Sequence, residues 1–288
     1  MILIDPIIQN AAGPDPGFSP AKASTFRRDL WPSRDAARKV FRGNKFYQQW
    51  DPRVFDLWIE HGLRELPTAL YPDLPQVVNL PFSTQQASAD TTPVDQPEST
   101  KQVTLTTTKH QEVFTFKRPM HPAAHQPLNS FTPTRLTHPD VPSYVPAATM
   151  AYSPEAVAVF TQLPLLRPRC FYVFGETSAA SSRQLEAEKF RITGTGIGGS
   201  GGAAEGAVQS TLVKGAGHFV AFERPQEVAA AMARWIASDI KLWHDEQSSL
   251  RDMWDQVKGQ AKFTLSDDWK WWMQQGQDSG QPRVVSKL

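Results

Sequence analysis

The sequence predicts an α/β fold built on a short parallel β-sheet. Two apolar runs, Met1–Ile8 and Arg169–Phe174, have the composition of strands buried on both faces, and Gln209–Lys214 is a third strand candidate. An amphipathic helix is predicted at Pro225–Ile240, directly after the third strand. Strands that alternate with helices along a chain are typical of parallel sheets. Three strands are few for 288 residues, so a long insertion is expected between the first two.

The chain is expected to have three parts. Residues 1–9 and 165–240 are predicted to form the core around the sheet, and residues 10–164 a cap inserted into that core. Residues 241–288 are predicted to form a helical tail. The chain would therefore leave the core after its first strand and return to it at the second.

Helices and loops are predicted to alternate within the cap. Residues 22–66 are expected to be helical, with breaks at the two prolines. Their aromatic side chains recur at near-helical spacing, which favours packing of the helices, with a lid over an apolar pocket as the alternative. Residues 67–101 have the composition of a long loop, and Val103–Phe116 alternates as a strand or hairpin does. Ser153-Pro154-Glu155 predicts a helix start, with Ser153 as N-cap.

The composition excludes several classes of function. A net charge of +1 gives no sign of a nucleic-acid partner. The single cysteine, Cys170, rules out a disulfide framework and fits a reducing compartment. No apolar run approaches the ~20 residues that span a bilayer, so no transmembrane segment is predicted. The histidines lack metal-ligand spacing and the glycine-rich loop 194–206 lacks a phosphate-binding lysine, so neither a metal nor another cofactor is expected.

The last three residues carry a targeting signal. Ser286-Lys287-Leu288 is the C-terminal tripeptide that the peroxisomal import receptor reads. The preceding stretch, about 274–285, is polar and rich in Gly, Ser and Gln, a composition that keeps a terminus accessible. We therefore expect the protein in peroxisomes, with the import receptor as a partner.

A histidine follows the third predicted strand in a glycine-rich turn. Gly215 and Gly217 allow a sharp turn of the backbone, and His218 comes next, ahead of the predicted helix. The turn would hold the imidazole at the carboxyl edge of the sheet, where α/β proteins place their chemistry. Since an imidazole titrates near neutral pH, His218 is a candidate general base.

The segment Gly215–Pro225 (GAGHFVAFERP) resembles the catalytic-histidine turn of the α/β-hydrolase family. Stretches at 1–9, 105–116, 171–178 and 193–203 are similar to a fungal group of that family, which includes peroxisomal lipase-like proteins and hydrolases of host-selective toxin clusters. The resemblance implies a serine nucleophile, an acid and a general-base histidine. It also implies a cap that sets the preference for an acyl or polyketide-like substrate.

The nucleophile of the family is not visible in this sequence. In the family it precedes the acid and the histidine, on a G-x-S-x-G turn between a strand and a helix. The strand after that turn corresponds to Met1–Gln9, so the resemblance implies the C-terminal portion of a truncated α/β-hydrolase fold. Gly198–Gly202 also spells G-x-S-x-G, but it follows no apolar strand and is flanked by glycines. Because Ser200 also lies too close to His218 in sequence, we interpret this stretch as a flexible loop.

The acid has two candidates. Many relatives carry it after the strand corresponding to Arg169–Phe174, where this chain has Ser178, with Glu176 nearby. Others carry it at the end of the preceding strand, where this chain has Asp5 followed by Pro6. Asp5 is the preferred acid and Glu176 the alternative, although an ordinary Asp-Pro turn would also explain Asp5.

Two functions follow from these observations. The first is a peroxisomal hydrolase of esters or thioesters, acting on an acyl or polyketide-like intermediate of secondary-metabolite (toxin) biosynthesis. The second is a non-catalytic truncated product or pseudoenzyme that keeps the His218 turn as a binding surface. In a truncated product, the missing strands would leave unpaired backbone groups along the outer edge of the strand predicted at Met1–Ile8.

Overall fold

A computed structural model describes residues 1–10, 20–73, 101–116, 118–119, 151–152, 154–180 and 182–278. The chain divides into two compact units, Met1–Met232 and Ala233–Leu288. The tripeptide Ser286-Lys287-Leu288, the predicted N-cap Ser153 and most of the predicted loop 67–101 lie outside the described residues.

The described residues form short strands and mostly short helices. The strands are β1 (Ile2–Ile4), β2 (Leu30–Trp31), β3 (Leu63–Glu65), β4 (Val103–Leu105), β5 (Arg118–Pro119), β6 (Ala151–Tyr152), β7 (Cys170–Gly175) and β8 (Val208–Val213). The helices are α1 (Pro20–Phe26), α2 (Arg34–Arg42), α3 (Lys45–Gln48), α4 (Pro52–His61), α5 (Lys109–Phe116), α6 (Pro154–Gln162), α7 (Arg183–Ile192), α8 (Val220–Glu223), α9 (Pro225–Gln256) and α10 (Asp267–Asp278). Two 3-10 turns, Leu163–Leu165 and Gly259–Lys262, complete them.

The three predicted strands form a parallel sheet in the first unit. Its order is β1-β7-β8, so the strand from the middle of the chain lies between the other two. Ile2 pairs with Phe171, and Cys170 pairs with Val208. The α/β fold predicted from the apolar runs is confirmed.

The middle strand of this sheet is fully buried. Tyr172 and Val173 are both 0% exposed, and burial of such a side chain contributes ~1.5–3 kcal/mol to folding. Cys170, Tyr172 and Phe174 cluster with Val208, and Phe190 of α7 packs against this cluster. The outer strands are more open, with Ile4 of β1 and Leu212 of β8 exposed.

Part of the cap region folds around a second, antiparallel sheet. Its order is β2-β4-β3, with β4 between the other two strands. Trp31, Phe41, Phe55, Ile59 and Leu105 are buried in the core between this sheet and its helices. The prediction that residues 22–66 are helical is therefore wrong at β2 and β3, because pairing with a distant strand outweighs local helix preference there.

Residues 103–116 were predicted to be a strand or hairpin, and the second half of that prediction is wrong. Only Val103–Leu105 is a strand, whereas Lys109–Phe116 is a helix. Gln111 N donates to the Thr108 hydroxyl at 3.2 Å, and Thr108 N donates to Gln111 Oε1 at 3.1 Å. These reciprocal bonds form a capping box, which starts a helix even where the apolar pattern alternates.

The second unit is helical in its described part. The helix predicted to end at Ile240 continues to Gln256, because neither Gly nor Pro interrupts that stretch. Several large apolar side chains of this unit are more than half exposed: Ile240, Trp243, Leu250, Trp254, Trp269, Trp271 and Trp272. Among the described residues, no helix is both long enough and apolar enough to cross a membrane.

Candidate active site

Asp5 and His218 meet at the carboxyl edge of the parallel sheet. Asp5 directly follows β1, and His218 lies in the turn that follows β8. These two strands flank β7 and run parallel to it, so their carboxyl ends lie at the same edge. The topology therefore brings together two residues that are far apart in the chain.

The two side chains form a hydrogen-bonded pair. His218 Nδ1 lies 2.6 Å from Asp5 Oδ2. Since a carboxylate only accepts, the imidazole donates from Nδ1, which leaves Nε2 with a free lone pair for a proton. The Asp5 side chain is buried, while the His218 side chain is 34% exposed, so the imidazole reaches the surface and the carboxylate does not.

The Asp5 carboxylate has two further donors. The Ser178 hydroxyl donates to Oδ2 at 2.6 Å, and Gly175 N donates to Oδ1 at 3.2 Å. Burial by itself would raise the pKa of Asp5, but the hydrogen bonds from His218, Ser178 and Gly175 outweigh it and lower that pKa below its ordinary value. Asp5 is therefore held as an anion beside the imidazole.

The backbone of Asp5 is in an unusual conformation. Its φ of 40° lies in the left-handed region, and Asp5 is the one non-glycine residue with positive φ among the described residues. Asp5 N still donates to Val173 O at 2.7 Å, so the turn begins while the strand pairing is intact. Strained backbone of this kind costs about 1–3 kcal/mol and clusters at functional sites.

Two glycines allow the histidine turn to lie against the end of β7. A Cβ atom on Gly175 would lie 2.1 Å from Gly217 O, which no side chain can tolerate. Gly215 has φ of +64°, a conformation that glycine adopts without steric cost. The sequence-based prediction of a sharp turn before His218 agrees with this geometry.

Two glutamates bind the amide groups of the same turn. Glu176 Oε2 accepts from Gly215 N at 2.8 Å, and Glu223 Oε2 accepts from Gly217 N at 2.7 Å. The alternative acid, Glu176, thus lies beside the turn, but its carboxylate bonds to backbone and not to the imidazole. The geometry brings Asp5, and not Glu176, to His218.

Ser200 lies at the opposite edge of the sheet. Its backbone N donates to Leu166 O, ahead of β7, and its loop leads into the amino end of β8. The six residues of β8 extend over about 20 Å, so the loop and the His218 turn are separated by the length of the sheet. This position agrees with the interpretation that the glycine loop is not a nucleophile turn.

Aromatic side chains of the cap region pack against aromatic side chains of the histidine turn and α8. Phe219 packs edge-on against Phe46 at 4.9 Å between ring centroids, and Phe222 against Trp50 at 4.8 Å. The backbone is joined as well, since Asp51 N donates to Phe222 O at 2.9 Å. The aromatic segment of the cap region therefore packs in a core and also borders the candidate site.

Among the described residues, no hydroxyl or thiol bonds to His218 Nε2, and no group of three or more possible ligands is placed to hold a metal ion. Two open clefts among the described residues, of about 400 and 420 Å³, border α7 and do not include His218. The described site is thus an acid–histidine pair without a visible nucleophile.

Sequence reasoning missed two contributors to this site. The sequence marks Ser178 only as a position where relatives carry an acid, whereas its hydroxyl donates to Asp5. It marks Glu223 only as part of the segment that resembles the histidine turn and indicates no role for it, whereas its carboxylate accepts from Gly217 N. The spacing from Gly217 to Glu223 is a sequence signal for this contact, because one turn of helix brings a carboxylate close to the amide groups that precede the helix.

Comparisons with known proteins find relatives by sequence, although no family model matches the chain. A type I acyl-CoA thioesterase (mpaH) of Penicillium roqueforti is 32% identical over 274 residues, which are 93% of this chain and 59% of that protein. The abhydrolase domain-containing protein AFT2-1 of Alternaria alternata is 23% identical over 280 residues, 95% of this chain and 87% of that protein.

A solved structure also resembles the chain. The peroxisomal α/β-hydrolase Lpx1 of Saccharomyces cerevisiae has a TM-score of 0.45 and 12% identity, over 99% of this chain and 56% of that one. Together with the parallel sheet, the sequence relatives support an α/β-hydrolase-family protein similar to those of fungi. It spans 59% of the length of its thioesterase relative.

Proposed function

We propose that this chain carries the acid and the general base of a hydrolase that cleaves acyl esters or thioesters. The observation that supports the proposal is the buried Asp5 carboxylate within 2.6 Å of His218 Nδ1 at the carboxyl edge of the sheet. Relatives named acyl-CoA thioesterases favour a thioester of coenzyme A as the substrate class. In this proposal Asp5 is the acid, and Glu176 stabilises the turn.

The reaction proceeds through an acyl-enzyme. A serine hydroxyl attacks the thioester carbonyl while His218 Nε2 takes its proton, and Asp5 stabilises the imidazolium that results. The carbon–sulfur bond breaks, and the imidazolium returns the proton to the departing thiolate. Water then attacks the acyl-enzyme in the same manner, and Nε2 passes the second proton back to the serine oxygen.

The enzymatic proposal requires a nucleophile that the described residues do not place at His218. In the chain order of this family the nucleophile precedes the acid, so the proposal expects it ahead of Asp5. Residues 1–9 and 165–240 form the core, residues 10–164 the cap and residues 241–288 the tail. The cap borders the acyl substrate, which fits the aromatic contacts between Phe46, Trp50 and the turn.

The cellular role extends the same proposal. The C-terminal Ser286-Lys287-Leu288 supports import into peroxisomes through the import receptor. The similarity to toxin-cluster hydrolases supports a substrate from secondary metabolism, an acyl or polyketide-like intermediate activated as a thioester. Thioester hydrolysis would release the free acid of such an intermediate.

The test uses a longer form of the protein, in which a strand, a serine turn and a helix precede Met1. This form should hydrolyse acyl-CoA thioesters, and its His218→Ala variant should not. The activity is measured as release of free thiol. A longer form that is folded but inactive toward both acyl-CoA and activated esters would contradict the proposal.

A second candidate is a non-catalytic protein that retains the fold. It is favoured by the lack, among the described residues, of a hydroxyl or thiol at His218 Nε2. On either hypothesis the 288-residue chain alone should hydrolyse thioesters no faster than its His218→Ala variant. The discriminating observation is the coding sequence ahead of Met1: an in-frame strand, G-x-S-x-G turn and helix favours the enzyme, and their lack favours the pseudoenzyme.

A further inference from the structure

Lys189 is a buried cation that the proposed reaction does not use. It lies in α7 and is 0% exposed, although lysine is rarely fully buried unless it is paired. Burial lowers the pKa of its ammonium group, and the negative charges of Asp5 and Glu186 oppose this decrease. A cation in such a position requires a structural or functional reason.

One hydrogen bond of Lys189 reaches the turn after β1. Its Nζ donates to Pro6 O at 3.0 Å, and the same carbonyl accepts from Ile8 N at 2.9 Å. Nζ also lies 5.5 Å from the centre of the Phe174 ring, on the middle strand of the sheet. Lys189 thereby connects α7, β7 and the residue that follows Asp5.

This connection bears on the strained conformation of Asp5. With φ of 40°, Asp5 needs neighbours that fix the direction of the chain on both sides. The bond from Asp5 N to Val173 O fixes the strand side, and the bonds to Pro6 O fix the other side. The side chain can then reach across the end of β7 to His218.

We infer that Lys189 is a positioning residue for the Asp5–His218 pair: its ammonium group holds the Pro6 carbonyl and so fixes the turn that directs the Asp5 carboxylate to His218. The inference rests on the proposed function only for the role given to Asp5. It assigns Lys189 no contact with substrate.

Groups from three parts of the fold face Asp5 and Lys189. His218 approaches Asp5 from the turn after β8, and Ser178 and Gly175 N approach it from the end of β7. Glu186, on the same helix as Lys189, is paired with Arg183 at 2.8 Å. The titration of Asp5 therefore reports on how well the turn holds its carboxylate against the donors from His218, Ser178 and Gly175.

The experiment follows the Asp5 carboxyl group by ¹³C NMR in the 288-residue chain, with the signal assigned by its loss in Asp5→Asn. Lys189→Met removes the charge and the donor, whereas Lys189→Gln removes the charge and keeps a donor. Arg191→Met is the matched control, since it removes an exposed positive charge from the same helix. The pKa of Asp5 should rise in Lys189→Met, because the turn no longer directs the carboxylate to the donors that lower its pKa. It should rise less in Lys189→Gln, which keeps a donor, and stay unchanged in the control.

An unchanged Asp5 titration in folded Lys189→Met and Lys189→Gln would overturn the inference and leave Lys189 a packing residue. If neither variant folds, Asp5→Asn/Lys189→Met decides. Folding is recovered if Lys189 is needed to hold the turn that buries the Asp5 carboxylate, and it stays lost if Lys189 only fills space. Because the titration needs no turnover, an inactive protein would count against the proposed function and not against this inference.

Discussion

At the scale of single residues, Asp5 is buried and yet held as an anion. Three donors reach its carboxylate, from His218, Ser178 and Gly175 N. Hydrogen bonds to the charged form offset the desolvation that burial imposes. The ordinary Asp-Pro turn considered from the sequence does not explain such a set of donors, because a turn alone needs no partner for the carboxylate.

The choice between the two acids can be tested in a longer, active form of the protein. Asp5→Asn should lower turnover by on the order of 10⁴-fold, the loss seen when a serine protease triad loses its carboxylate, because the imidazole is held in the wrong tautomer. Glu176→Gln should change turnover little, since its amide oxygen can still accept from Gly215 N. Unfolding measurements on both variants separate catalysis from stability, and the reverse order of effects would make Glu176 the acid.

Ser178→Ala should alter the pH dependence of stability. Loss of this donor raises the pKa of Asp5 toward its ordinary value of 3.8. Since a lowered native pKa stabilises the fold above the unfolded value, the variant should be less stable than wild type above about pH 4. The difference should close as the pH falls through the native pKa of Asp5.

Urea unfolding between pH 3 and pH 7 measures this difference. The matched control is Ser178→Ala in an Asp5→Asn background, where the effect of pH on the difference should vanish. A difference that is equally large at both ends of the pH range would mean that Ser178 stabilises the turn without influencing the ionisation of Asp5.

At the scale of elements, the sequence predicted the structure where apolar runs are continuous. β1, β7 and β8 follow such runs or the turn signals beside them, and β7, which is buried on both faces, is the clearest case. Strands β2 and β3 were missed because each has only two or three residues and depends on a partner far away in sequence. Local sequence patterns do not predict pairing between strands that are far apart in the chain.

The start of α5 shows a second limit of pattern reasoning. Alternation over 103–116 indicated a strand, while the Thr108–Gln111 capping box made a helix of the second half. Thr108→Ala should therefore destabilise the protein by about 0.5–2 kcal/mol. His110→Ala, an exposed change in the first turn of the same helix, is the control, and urea unfolding measures both. Equal effects would mean that the cap contributes nothing to the start of α5.

At the scale of the whole molecule, the acid and the base come from opposite ends of the first unit. Asp5 and His218 could be proposed from the sequence because the family resemblance names both positions. The contact between Asp5 and His218, and the hydrogen bonds from Ser178 and Lys189 that hold Asp5 in place, depend on the strand order β1-β7-β8. Local sequence patterns do not predict that order. The site could therefore be predicted in its residues but not in its supporting contacts.

The last prediction concerns the destination of the molecule. A fluorescent protein fused ahead of Met1 leaves the terminal Ser286-Lys287-Leu288 free for the import receptor, so the fusion should collect in peroxisomes. Removal of Leu288 should return it to the cytosol, because the receptor reads the tripeptide only at the extreme end. His218→Ala is the control, since loss of the proposed base should leave import unchanged. Signal in the cytosol from the intact terminus, with a peroxisomal marker imported normally in the same cells, would contradict the peroxisomal assignment and leave the proposed hydrolysis to be tested elsewhere in the cell.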